Sequence, residues 1–72
     1  MAKFRKKPIV IEAYRCKNKT FVQTMEGQLF ARAGDWIVTG VKGEKYPVAD
    51  EIFRLTYEPA DVDAERLWLG ED

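Results

Sequence analysis

The sequence predicts a mainly β protein with some α character: a small antiparallel sheet or partial barrel of about five short strands, one short helical turn, and a short C-terminal helical segment. Three observations lead there. Turn-forming residues punctuate the chain roughly every eight to twelve positions, at Pro8, Asn18, Glu26-Gly27, Gly34-Asp35, Lys42-Gly43, Pro47 and Pro59. The stretches between them are rich in β-branched and aromatic residues. After Asp50 the pattern changes, with Glu51 in a first-turn position and Ile52, Phe53 and Leu55 as apolar anchors.

Each element follows in chain order. Pro8 to Arg15 reads as a strand whose Ile9 and Ile11 face inward, while Glu12 and Tyr14 suit a half-solvated face. Thr20 to Met25 and Gln28 to Ala33 form a hairpin around Glu26-Gly27, and Gly27 takes positive φ because it carries no Cβ. Phe21, Gln23 and Met25 share one face; Val22 and Thr24 share the other. Gly34-Asp35 leads into the strand Trp36 to Thr39, with Asp35 bonding a backbone N–H in the turn, and Trp36 is the expected core anchor. Lys42-Gly43 turns the chain back into Lys45 to Val48, an edge strand because Pro47 has no N–H to donate. Asp50 caps a helical turn reaching Arg54, and Thr56-Tyr57 returns to β structure. Residues 1–60 thus form one β-dominated domain, and residues 61–72 an acidic tail with a short amphipathic helix.

The 72 residues carry 12 basic and 12 acidic side chains, so the net charge is zero. The charges are segregated. Lys3, Arg5, Lys6, Lys7, Arg15, Lys17 and Lys19 crowd the first part, and Glu58, Asp61, Asp63, Glu65, Glu71 and Asp72 the last. Such polarity fits either a basic arm for nucleic acid or attraction between two ends of one molecule. A neutral domain favours the second reading over a nucleic-acid binder. A single cysteine and no long apolar run point to a cytoplasmic location and give no reason to expect a membrane partner.

The stretch GDWIVTGVKGEKYP could be a glycine-rich phosphate loop or a hairpin. A phosphate loop needs closely spaced glycines opening a helix, whereas Gly34-Asp35 opens a strand and Gly43 precedes an acid. The hairpin reading prevails. Catalytic groups are scarce as well. The chain has no histidine, and Cys16 has only Arg15 and Lys17 beside it to lower its pKa. Cys16 is therefore read as a plain strand-end residue, open to adventitious cross-linking. Catalysis, a metal and a cofactor are not expected.

The opening RKKPIVIEAYR and the later GDWIVTGVKGEKYPVADEIFRLTYEP resemble a family of small phage- and prophage-encoded proteins of unknown function. Members open with a Lys-Lys-Pro strand ending near Glu-Ala and close with Gly-Asp-(Trp or Tyr)-Ile, Gly-Glu-x-Tyr-Pro, a Phe and Tyr-Glu. The stretch from Cys16 to Thr20 is shorter than in many relatives, which carry an extra segment there. The resemblance covers most of residues 4 to 59 and implies a fold unit and an origin rather than an activity.

These observations lead to a non-catalytic accessory protein that binds a host or phage protein, in the host cytoplasm if phage-encoded. Its expected interaction surface comprises Lys6, Lys7, Arg15, Lys17, Arg32, Leu67 and Trp68, with Gly27, Gly34, Asp35 and Gly43 as structural turns. An electrostatic nucleic-acid binder using the basic N-terminal region is the alternative, and a small-ligand binder a third. Aromatic side chains standing on one solvent face beside Arg15, Lys17 and Arg32 would mark a single-strand nucleic-acid platform. The tail must cover Val62, Leu67 and Trp68, either on its own sheet or on a second copy. A homodimer is the preferred expectation.

Overall fold

The computed structural model describes residues 1–70. Five short antiparallel strands form two sheets, followed by two short helices: β1 (Glu12–Arg15), β2 (Thr20–Thr24), β3 (Gly27–Ala31), β4 (Trp36–Thr39), β5 (Lys45–Val48), α1 (Asp50–Thr56) and α2 (Val62–Trp68). One sheet has the order β1-β4-β5 and the other is the β2-β3 hairpin. The architecture is mostly β with some α character, and the sheets do not close into a barrel.

β4 organises the core. Its Trp36, Ile37 and Val38 are all buried, because both faces of this central strand are covered. Ile37 packs with Cys16, Val22 and Ala31 on the hairpin side. Trp36 and Val38 pack with Phe53 on the helix side, joined by Ile11, Ala13, Tyr46, Val48, Tyr57, Leu67 and Trp68. The core-anchor expectation for Trp36 holds, at 3% exposure. Pro47 pairs with Ile37 in β5, at the sheet edge where a missing donor is tolerated.

The turns follow their chemistry. Gly27, Gly34 and Gly43 have φ of 119°, 94° and 83°. Asp35 accepts the Arg32 N–H at 2.9 Å through Oδ2, which fixes the turn into β4. The hairpin loop, however, is displaced by one residue. Thr24 pairs with Gly27, so Met25 and Glu26 form the loop and Gly27 opens β3. Thr24 settles the position: its hydroxyl donates to Gly27 O at 2.6 Å and accepts the Glu26 N–H at 3.2 Å.

Three further expectations are corrected. The first strand begins at Glu12 rather than Pro8, and Ile9 is half exposed instead of facing inward. The Ile9 N–H bonds Lys7 O at 2.8 Å, a three-residue turn around Pro8 that takes this donor away from strand pairing. Asp50 does not cap α1. Ala49 holds that position without a side-chain bond, and Asp50 stands inside the helix with its carboxylate turned to Trp36. Thr56 belongs to α1, which runs beyond Arg54, and Tyr57 is extended but lies in no strand.

The second helix starts as its sequence suggests, with Asp61 Oδ1 accepting the Ala64 N–H at 2.8 Å. Its Leu67 and Trp68 pack against the core of their own chain. Trp68 lies 6.2 Å from Phe53 between ring centroids, and its carbonyl accepts Arg54 Nη2 at 2.8 Å. Val62 stays exposed.

A candidate binding groove and an aromatic hairpin

Three aromatic rings on the helix side form a column. Trp36 stacks on Phe53 at 4.3 Å, and Phe53 on Tyr57 at 4.9 Å. Phe53 and Tyr57 meet because they are four residues apart across the end of α1. A cation stands at each end: Arg15 lies 5.8 Å from the Trp36 ring, and Lys6 lies 3.7 Å above the Tyr57 ring. The turn at Pro8 brings the N-terminal segment back over the column, which places Lys6 there.

Between this segment, the Tyr57–Asp61 connection and α2 lies a groove of about 520 Å³. Ile11, Ala13, Phe53, Leu67 and Trp68 contribute apolar surface, while Lys6 and Lys7 supply positive charge and Glu58 and Asp61 negative charge. Four of the seven expected surface residues, Lys6, Lys7, Leu67 and Trp68, thus line one cavity although they come from opposite ends of the chain. The other three do not line it. Arg15 is held inside the fold: its Nε donates to Gly34 O at 3.2 Å, and Nη2 lies 3.4 Å from Asp50 Oδ1. Lys17 and Arg32 are exposed and flank the junction where Cys16 pairs with Gly34 and Asp35 through backbone bonds.

The tyrosines beside the groove are the polar members that the sequence reading missed. Burial pushes the Tyr57 hydroxyl up, but hydrogen bonds from Lys6 and Tyr46 outweigh it and leave its pKa below the ordinary value. Tyr46 is pushed up to about 12, first by its hydrogen bond to Tyr57 and then by burial. The signal for Tyr57 was its i,i+4 spacing from Phe53, hidden by the β-forming Thr-Tyr pair and the nearby Pro59.

Cys16 follows the last residue of β1, as the strand-end reading has it, but its side chain is buried. At 6% exposure it belongs to the core, and burial followed by the charge of Asp35 raises its pKa rather than lowering it. A neutral buried thiol packs as a small hydrophobe and is poorly placed for cross-linking. Among the described residues, no three His, Cys, Asp or Glu side chains gather to hold a metal ion, and no helix is long and apolar enough to cross a membrane.

The hairpin presents a different surface. Phe21 and Phe30 stand outside the core, at 63% and 41% exposure. They stand directly opposite one another, with ring centroids 5.5 Å apart in an edge-to-face arrangement. Val22 and Ala31 take the buried face, and strand alternation sends the phenylalanines outward. Lys19 Nζ lies 4.7 Å from the Phe30 ring centroid.

No family model, curated protein or solved structure matches this chain.

Proposed function

We propose that this chain is a non-catalytic binding module, a small phage or prophage accessory protein that holds a segment of a host or phage protein in the groove beneath its N-terminal residues. The observation that carries this reading is the convergence of Lys6 and Lys7 with Leu67 and Trp68 around one apolar cavity. An apolar floor with Lys6 and Lys7 at its margin suits an apolar side chain followed or preceded by a carboxylate; of the two acids in the lining, Glu58 and Asp61, the latter already accepts the Ala64 N–H. The motif resemblance supports the phage origin. The volume of about 520 Å³ also lies within the usual range of small-molecule sites, so a ligand with an apolar body and an anionic head is the second reading.

Selection of displayed peptides on the folded full-length chain tests the main reading. Enriched peptides are expected to pair a large apolar residue with a nearby Asp or Glu. Their binding should weaken roughly tenfold or more in a Lys6→Glu, Lys7→Glu double variant, since repulsion replaces attraction at the rim. Peptides without an acidic residue, or with affinity unchanged in that variant, would refute the groove as the docking site.

A further inference from the structure

The outer face of the hairpin lies apart from the groove and carries a chemistry of its own. Its outward positions are Phe21 and Gln23 on β2 and Gln28 and Phe30 on β3, with Phe21 opposite Phe30 and Gln23 opposite Gln28. One residue beyond the strands, Lys19 and Arg32 continue the same alternation, and the contact of Lys19 with Phe30 places its ammonium on this face. Neither strand offers a carboxylate there; Glu26 is confined to the loop at one end, and the Asp35 carboxylate to the turn at the other, where it accepts the Arg32 N–H at 2.9 Å. The face is therefore aromatic, amide-bearing and cationic.

We propose that this face binds single-stranded nucleic acid. An unpaired base has a flat π-surface that stacks on an exposed ring without regard to sequence. Phe21 offers the more open ring. The cation over Phe30 is held only by a contact at an exposed site, so a base can take its place while the ammonium moves to the adjoining phosphate. Arg32, exposed at the next position of the alternation, supplies a second cation for a phosphate. Gln23 and Gln28 add amide donors and acceptors for base edges, and same-face residues recur about every 7 Å along a strand, a spacing within reach of successive bases in an extended strand. The positive face without a carboxylate favours a polyanion over an acidic-and-basic protein surface or a second copy. This proposal is independent of the groove.

The test is fluorescence anisotropy of a labelled oligothymidylate with the full-length chain at low ionic strength. Saturable binding is expected, weakening with salt at a log–log slope of about −1.4 for two neutralised phosphates. Phe21→Ala and Phe30→Ala should each reduce affinity about five- to a hundredfold. Circular dichroism should show both variants folded, since these rings lie outside the core. Lys6→Ala and Lys7→Ala should leave the affinity within about twofold. Absence of binding at low salt would overturn the proposal. So would affinity unchanged by both phenylalanine substitutions, or equal affinity for a duplex, whose bases are unavailable for stacking. Self-association abolished by Phe21→Ala, without oligonucleotide binding, would assign the face to a second copy instead.

Discussion

The indole Nε1 of Trp36 donates to Asp50 Oδ1 at 2.8 Å. The same carboxylate accepts Arg54 Nε at 3.0 Å and lies 3.4 Å from Arg15 Nη2. One acidic side chain at the start of α1 therefore ties the helix to β4 and, through Arg15, to β1. Trp36→Ala should cost about 3–5 kcal/mol, enough to unfold a domain with a small core. Asp50→Asn keeps an acceptor for the indole but removes the charge, and should cost about 1 kcal/mol because the site is partly solvated. Urea denaturation followed by tryptophan fluorescence distinguishes the two. Equal midpoints for Trp36→Ala and the parent would contradict a core role for the indole.

The same contact gives a pH dependence of definite sign. The hydrogen bond from Trp36, followed by those from Arg54 and the charge of Arg15, holds the Asp50 carboxyl below its ordinary pKa. The folded state binds this proton more weakly than the unfolded state. The stabilisation is thus fully present above the ordinary carboxylate pKa of about 4, and is lost as pH falls through the lower folded-state value. Denaturation midpoints measured in steps from pH 6 to pH 2 should fall more steeply for the parent than for Asp50→Asn. Parallel curves would show that Asp50 contributes nothing to acid sensitivity.

Gly27 and Gly40 should respond differently to added side chains. At Gly27 a Cβ would meet nothing within 4 Å, yet φ is +119°, so Gly27→Val carries a purely conformational cost of about 1–3 kcal/mol. Gly40 has no positive φ, but its added Cβ would collide with the Glu44 carboxylate. That carboxylate is the far end of a flexible side chain, although it also accepts the Lys42 N–H at 2.9 Å. Gly40→Ala should therefore cost less than Gly27→Val, a ranking that thermal unfolding of the two variants checks.

Cys16 should react slowly with a thiol reagent in the folded protein and rapidly in denaturant. Its side chain is packed with Val22, Ala31 and Ile37, and its proton is retained above the ordinary thiol pKa. A native rate approaching the denatured rate would place the thiol at the surface.

The β order was legible in the sequence because its signals are local: glycine at positive φ, Asp35 in its turn, and a continuous apolar run at Trp36–Val38. What escaped it depends on distant partners or competing local bonds. Asp50 resembles a helix cap by residue type, and only the position of the Trp36 indole decides where its carboxylate points. Pro8 invites a strand reading, but the turn it makes uses the donor of Ile9. Lys6 and Lys7 were recognisable as candidates from their charge, and Leu67 and Trp68 from an apolar tail. Their meeting around one groove depends on the way α2 docks on Phe53. For Phe21 and Phe30, size and hydrophobicity suggested burial, whereas strand alternation with Val22 and Ala31 decided the face.

The backbone at Cys16 has a consequence for variation in length. Its N–H bonds Asp35 O and its carbonyl accepts the Gly34 N–H, both at 2.8 Å, just before the exposed Lys17–Lys19 connection. Downstream, Thr20 pairs at once with Ala31. The connection is therefore clamped at both ends by bonds to the same returning stretch of chain, and its own residues supply none of the core. Lengthening it leaves both clamps in place, and each doubling of such a loop costs only about 0.6 kcal/mol in closure entropy. This corner is a port through which the fold can accept extra sequence. A new segment grafted there would emerge beside the cationic end of the aromatic hairpin, so growth at this corner would remodel that surface while the sheets beneath it keep their register.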